Sequence, residues 1–523
     1  MQNILFIMCD QLRWDYLSCY GHPHLETPHI DSLAARGVRF DRAYCQSPLC
    51  GPSRMSFYTG RYVTSHGSQW NSDPLPLDEL TLGDYLRPMG MRTALVGKTH
   101  FRADQVGMTQ LGIDPASERG IWLSQCGFEP FERDDGLHPD KIVRPNLAYN
   151  QWLREKGYQN DNPWQQNANS SIDKDGTLHN GWHLSSGVYP ANIDAPHSET
   201  PYMTDRAIDF IEAAGSQPWC LHLSYIKPHW PYIAPAPYHD LYSSDQMLPV
   251  VKNQNEREEA HPVFEAFMQQ DYSRTFARED VRQAVIPAYM GLIKQIDDEI
   301  GRLLTFLDER NLTDNTVIVF TSDHGDYLGD HWLGEKDLFH EPSVRIPLII
   351  ADPSQSAEST RGTTRSELVE AIDLVPTFLE LAGGPTQPQR LEGRSLLPLL
   401  HAQDSIEWRD FTISEIDYSG RDAMHILRLE PEACRAWMLR TERWKFILHH
   451  QFRPQLFDMT NDPDEFVDLG DDPAYETIRR ELQAQLFVWF RERKQRTTVV
   501  RDDVVRNAGS RGDAAAGIFI GRW

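Results

Sequence analysis

The chain has 523 residues, 40% of them hydrophobic, and a net charge of -25 from 76 acidic and 51 basic side chains. That length suits a large domain with a smaller one, and the acidic balance argues against a nucleic-acid partner, which needs a basic face. No apolar run approaches the length of a membrane span, so a membrane is not an expected partner either.

Residues 3–9 are a continuous apolar run leading into Asp10-Gln11. No basic stretch precedes the run, so it reads as a buried parallel strand rather than an export signal. A cytoplasmic enzyme is therefore expected, and seven cysteines without a pairing pattern fit a reducing compartment. Thr27-Pro28 opens a helix that Gly37 closes, and a strand follows near 38–44. A further helix is expected over about 53–59, which sets residue 50 near a helix N-terminus, a place that favours anions. Residues 79–88 and 204–214 look helical, while 92–96 and 219–226 look like strands running into Gly97-Lys98-Thr99-His100 and Lys227-Pro228-His229. A long helix over 281–310 carries Tyr289, Ile293, Ile296, Ile300, Leu303 and Leu307 on one stripe. The strand 316–320 then ends in Ser322-Asp323-His324-Gly325.

Alternating strands and helices predict an α/β domain over 1–404, with polar clusters at four strand ends, where sites of this architecture collect. Residues 101–200 are rich in Gly, Pro, Asn and Asp and read as insertions that roof the pocket. Short antiparallel strands from about 411 and a helix at 475–492 predict a smaller α+β unit over 405–494. The tail 495–523 ends in Gly517-Ile518-Phe519-Ile520-Gly521-Arg522-Trp523, which suggests docking on another subunit; a homo-oligomer is expected.

The densest chemical signal is Cys50-Gly51-Pro52-Ser53-Arg54, followed by Met55-Ser56-Phe57-Tyr58-Thr59-Gly60-Arg61. Cys-x-Pro-x-Arg with a trailing Thr-Gly resembles the formylglycine sulfatases of the alkaline-phosphatase-like superfamily. The resemblance covers most of 1–490. It implies a large, mixed, mostly parallel sheet flanked by helices and a smaller C-terminal subdomain. It also implies conversion of Cys50 to formylglycine by a formylglycine-generating enzyme. A hydrated aldehyde carries two hydroxyls: one can attack sulfur, and the second can later expel sulfate by C–O cleavage. A serine or an unmodified thiol lacks that second hydroxyl.

Asp10, Gln11, Asp323 and His324 are the expected metal ligands, with residue 50 as a further one. Two carboxylates, an amide oxygen and an imidazole suit one divalent ion; the imidazole favours manganese, with calcium next. Many sulfatases carry Asp-Asp and Asp-Asn at these places. Asp-Gln and Asp-His are more similar to phosphonate monoester hydrolases and choline sulfatases. The resemblance assigns Arg54 to stabilising the nucleophile, Lys98 and His100 to the Gly-Lys-x-His element, His229 to protonating the leaving group and Lys336 to binding sulfate. Asn71 is placed as a polar substrate or nucleophile contact. Lys227 reads as structural or solvated. Trp70, Trp230, Tyr232, Tyr327 and Trp332 are candidates for an aromatic wall.

The leading expectation is hydrolysis of an aryl-like sulfate monoester through a covalent sulfo-enzyme. A phosphonate monoester or phosphodiester hydrolase is the alternative on the same scaffold. A choline-sulfatase-like enzyme is a third, since aromatic walls suit quaternary ammonium groups. A binding protein without catalysis is disfavoured because every expected catalytic position is filled.

Overall fold

The computed structural model describes residues 2–71, 73–136, 147–403, 406–494 and 497–508. Its centre is β1 (Asn3–Asp10), an eight-residue strand buried along its whole length. A run of apolar side chains with no alternation suits a parallel strand covered on both faces. The remaining strands of the large sheet are β2 (Val38–Tyr44), β3 (Arg92–Gly97), β4 (Glu129–Arg133), β7 (Trp219–Pro228), β8 (Thr316–Ser322), β9 (Arg345–Ala351), β10 (Thr363–Arg365) and β11 (Val369–Glu370). Their order is β10-β2-β9-β8-β1-β7-β3-β4, with β11 also paired to β2. β1 runs parallel to both neighbours, in register Ile4↔Cys220 and Ile4↔Val317, whereas β9 is antiparallel to β2 and β8. The sheet is therefore mixed and mostly parallel, as expected.

Successive residues of β1 enter opposite cores, as the strand period of two requires. Ile4, Phe6 and Met8 pack with Phe57, Tyr58 and Phe378 on one face. Leu5, Ile7 and Cys9 pack on the other with Phe210, Ile293 and Ile300. Those last side chains come from helices Glu199–Ala214 and Glu279–Glu309, and the expected stripe of the long helix is fully buried. The first of these helices begins five residues before the expected 204, and the helix expected over 79–88 shortens to Leu82–Leu86 plus one tight turn.

The smaller sheet, β12 (Phe411–Asp417), β13 (Arg435–Thr441), β14 (Trp444–His449) and β15 (Gln455–Asp458), is antiparallel in chain order. The helix Glu476–Arg491 covers it through Leu482, Leu486 and Trp489. The boundary expected at 404/405 falls outside the described residues. So does the apolar end of the tail; of its earlier part, Arg501–Ala508 is helical.

The described residues of 101–200 form more regular structure than the expectation of irregular insertions. β4 joins the edge of the large sheet beside β3, and β5 (Ser170–Ile172) pairs with β6 (Leu178–Asn180) as a separate hairpin. Among the described residues, no helix is long and apolar enough to cross a membrane.

Candidate active site

The carboxyl ends of β1, β3, β7 and β8 converge on α2 (Cys50–Thr59), all of whose residues are buried. Cys50 is the first residue of this helix, so it sits at the positive end of the helix dipole. Gly51 has no room for a side chain: an added Cβ would lie 2.9 Å from the Asn71 backbone. Asn71 accepts a hydrogen bond from the Gly51 N–H at 2.9 Å through its Oδ1. Asn71 thus meets the helix that presents Cys50 at its backbone. Gly97 has φ +104 and touches the Ser224 carbonyl, which sets the turn into Lys98.

Asp10, Cys50, Asp323 and His324 each offer one ligand atom, all within 4.8 Å of one another and all buried. The Cys50 Sγ lies 3.1 Å from His324 Nε2 and 3.7 Å from Asp10 Oδ1. His324 donates its Nδ1–H to the Gly325 carbonyl at 2.9 Å, which leaves the Nε2 lone pair facing the cluster. This donor set fits a divalent cation: two carboxylates supply charge, and the tautomer of the imidazole is set for ligation. Burial and the Cys50 charge oppose ionisation of Asp10, yet Lys98, His229 and Arg54 hold it below the ordinary carboxylate range.

Gln11 sits beside the cluster in an unusual backbone conformation, φ 64. Its Nε2 donates to Asp326 at 2.5 Å and to the Tyr232 hydroxyl at 3.0 Å. Its Oε1 accepts from Lys336 Nζ at 2.7 Å. The amide oxygen therefore faces the lysine, one step from the four-atom cluster.

Arg54, expected to stabilise the nucleophile, is buried between the two carboxylates. Its Nε donates to Asp323 Oδ2 at 2.8 Å, and its Nη2 to Asp10 Oδ2 at 3.3 Å. Its Nη1 donates to the Lys98 carbonyl and the Ser224 hydroxyl, each at 2.7 Å. It bridges the two carboxylates, and it lies close enough to Cys50 for the two charges to interact.

Lys98 Nζ pairs with Asp10 at 2.5 Å. Lys336 Nζ lies 3.4 Å from Cys50 Sγ and 3.4 Å from His229 Nε2. Burial works against ionisation of the Cys50 thiol, but Lys336, Lys98, His324 and a hydrogen bond from His100 draw it well below its ordinary value. His229 donates Nδ1–H to the Trp230 carbonyl at 2.8 Å, so its Nε2 is the acceptor turned toward Lys336. Burial first, then Lys336 and Lys98, lower His229 to about 3. Lys227 is structural as expected, held by the Pro231 carbonyl at 3.1 Å and Glu199 at 3.4 Å.

His100, Glu335 and Asp337 adopt positive φ as Gln11 does, at 52, 55 and 101. Such backbone costs on the order of 1–3 kcal/mol per residue and persists only where surrounding contacts impose it. Asp135, which sequence reasoning did not single out, imposes it at His100: it accepts from the Thr99 and His100 N–H groups at 2.8 and 3.0 Å. Asp337 is fixed by Arg421 at 2.7 Å and Tyr272 at 3.1 Å. Asp326 also escaped the sequence reading, although it stands two residues beyond His324.

The expected aromatic wall is only partly assembled. Trp230 and Tyr232 line a cavity of about 790 Å³. Trp70 packs on Arg421, Tyr327 bonds His340, and Trp332 packs on Lys252 and Arg257.

The sulfatase family model matches residues 2–384, and a model described as the C-terminal part of N-sulphoglucosamine sulphohydrolase matches 329–492. A multifunctional alkaline phosphatase superfamily protein, PehA, of Trinickia caryophylli is 31% identical, covering 95% of this chain and 96% of its own. An arylsulfatase of Clostridium perfringens is 29% identical over 90% of this chain and 91% of its own. Among solved structures, the phosphonate monoester hydrolase of Silicibacter pomeroyi has a TM-score of 0.82 at 28% identity, covering 96% of this chain and 98% of its own. The chain belongs to the sulfatase family and is a sulfatase-type hydrolase, as Cys50 to Gly60 led one to expect.

Proposed function

We propose that this enzyme hydrolyses sulfate monoesters with aryl-like leaving groups, using formylglycine at position 50. The observation that carries this reading is the placement of Cys50 Sγ in one cluster with the Asp10, Asp323 and His324 donors and 3.4 Å from Lys336 Nζ. A divalent ion held by Asp10, Asp323, His324 and residue 50, manganese before calcium, would ease ionisation of the hydrated aldehyde. Gln11 Oε1, the remaining expected ligand, accepts from Lys336.

The chain's own residues divide the remaining work. Lys98 and Lys336 place positive charge where sulfate oxygens would lie, which answers the repulsion expected from the net charge of -25. His100, bonded to residue 50, is positioned to take a proton from it. Arg54 holds the two carboxylates apart, and Asn71 steadies the start of α2. His229 and Lys336 stand 3.4 Å apart beside residue 50 and are the proton source for the departing oxygen.

A second reading, phosphonate monoester or phosphodiester hydrolysis, is favoured by His324 in the donor set and by the likeness to the Silicibacter enzyme. Tetrahedral phosphonate and sulfate esters make similar demands on Lys98 and Lys336, so promiscuity is part of the proposal. The test is kcat/KM on phenyl sulfate, choline sulfate and phenyl phenylphosphonate, with the mass of the peptide containing residue 50. Preference for phenyl sulfate and a formylglycine mass are expected. An unmodified cysteine in fully active enzyme would remove the mechanism, and a phosphonate preference would promote the second reading.

A further inference from the structure

We propose that the cavity beside His229 and Lys336 is the leaving-group subsite, and that it takes an uncharged aromatic alcohol of two or more fused rings rather than a sugar. The reaction in this proposal rests on the sulfatase reading above; the choice of leaving group rests on the cavity walls. The cavity, about 790 Å³, is lined by Trp182, Leu184, Val188, Trp230, Tyr232 and Phe276, among others. Its volume lies within the roughly 300–1,000 Å³ of small-molecule sites and exceeds the need of a single phenyl ring.

Position ties the cavity to one end of the centre. Trp230 follows His229 in the chain, and their rings lie 4.1 Å apart between centroids. Glu335, on the cavity lining, precedes Lys336. The Trp230 wall of the cavity thus packs on His229, and its Tyr232 wall bonds Gln11, which in turn holds Lys336.

The polar atoms on the walls are largely committed elsewhere. The Tyr232 hydroxyl donates to Asp326 at 2.5 Å and accepts from Gln11 at 3.0 Å. The Trp182 indole donates to Gln165 at 2.9 Å, and its ring meets Trp230 edge-on at 5.4 Å. The Thr275 hydroxyl donates to the Asp271 carbonyl at 2.6 Å. What these residues offer a ligand is ring and methyl surface, which suits a fused aromatic and leaves the hydroxyls of a sugar unpaired. The charged residues are paired: Asp280 with Arg278, which also lines the cavity, and Asp271 with the exposed Arg274, both at 2.5 Å. With these pairs and Glu335 the lining offers no net positive charge to a leaving group that carries its own carboxylate.

The test uses the full-length enzyme and three esters: phenyl sulfate, 2-naphthyl sulfate and glucose 6-sulfate. Binding of 2-naphthol by calorimetry is measured in parallel and needs no turnover. The wild-type kcat/KM is expected to rise roughly tenfold from phenyl to 2-naphthyl, with glucose 6-sulfate the poorest. Trp182→Ala, and independently the exposed Val188→Glu, should remove most of that ratio and weaken 2-naphthol binding at least ~5-fold. An unchanged ratio in both variants, or glucose 6-sulfate as the best ester, overturns the subsite. If no sulfate ester is cleaved but 2-naphthol binds and both variants lose it, the subsite stands and the sulfatase reading falls. If phenyl sulfate is cleaved well with a flat ratio and no 2-naphthol binding, the reverse holds.

Discussion

Arg54 donates through Nε to Asp323 at 2.8 Å with both side chains at zero exposure, and its Nη2 continues to Asp10 at 3.3 Å. A guanidinium in a dry site can hold two carboxylates at a fixed spacing because its fork is planar and permanently charged. Removing one partner of such a buried pair leaves charge uncompensated, at a cost of about 3–5 kcal/mol. Arg54→Met is therefore expected to lose that much stability in urea unfolding, and Arg54→Lys part of it. Both should also bind metal less tightly. Unchanged unfolding midpoints would show that the clamp carries no energy.

Cys50→Ala should lower turnover by more than ~10³-fold, because no neighbouring side chain offers an equivalent nucleophile. The fold should survive, since the change deletes one sulfur at the start of a helix whose other contacts remain. Circular dichroism checks the fold and steady-state rates check the role. Near-normal turnover would sink the mechanism.

Asp323→Asn and His324→Ala should each lower metal content and rate together. Asp323 also anchors Arg54, so its loss should cost stability, whereas loss of His324 should not to the same degree. Metal analysis that finds full occupancy in both variants removes them from the ligand set.

The legible parts of this protein are those where one local pattern forces one outcome. β1 and β8 are uninterrupted apolar runs ending in Asp10 and Ser322-Asp323, so strand, burial and site followed together. β9 was not foreseen because Pro347 interrupts it; the proline is accommodated where β2 has a register shift, between Phe40 and Ala43. β4 reads Glu-Pro-Phe-Glu-Arg and is a strand only because β3 offers it an edge. At the site, Asp10, Cys50, Asp323 and His324 could be found because their neighbours in sequence share the chemistry. Asp135 and Asp326 could not, since each acts through a backbone or amide that only tertiary packing brings near.

Glu415 gives a pH dependence unconnected to catalysis. It is buried on β12, where it accepts from the Thr64 N–H at 3.0 Å and from the Trp437 indole at 3.2 Å. Burial pushes its pKa up from 4.5 to about 7, with the Thr64 hydrogen bonds only partly opposing. The folded state thus binds this proton more tightly than the unfolded chain. Its contribution to stability is full below pH 4.5, falls as pH rises, and is flat above about 7. Glu415→Gln should remove that slope, so the two stability curves should separate by on the order of 3 kcal/mol across the window. Parallel curves in chemical unfolding from pH 4.5 to 7.5 would show that Glu415 stays ionised.

The sharpest outcome concerns how the leaving oxygen receives its proton. His229 spends Nδ1–H on the Trp230 carbonyl and turns Nε2 toward Lys336 Nζ at 3.4 Å. In this arrangement Nε2 has no proton of its own to give, while Lys336 is a permanent donor in contact with it. The two should therefore act as one unit, the lysine supplying the proton and the imidazole placing or passing it. A nitrophenolate departs largely unaided, whereas an alkoxide or a poor phenolate needs protonation, and general acid help is worth about 10²–10⁴-fold. His229→Ala and Lys336→Met should each hurt poor leaving groups far more than activated ones and steepen the plot of log rate against leaving-group pKa. Lys336→Met should add a uniform loss from sulfate binding. Because the pair shares one proton, the double variant should steepen the plot no further than the worse single variant. Independent, additive slopes would assign the two residues separate tasks. A parallel downward shift in His229→Ala, equal for every leaving group, would move that histidine from proton transfer to substrate binding.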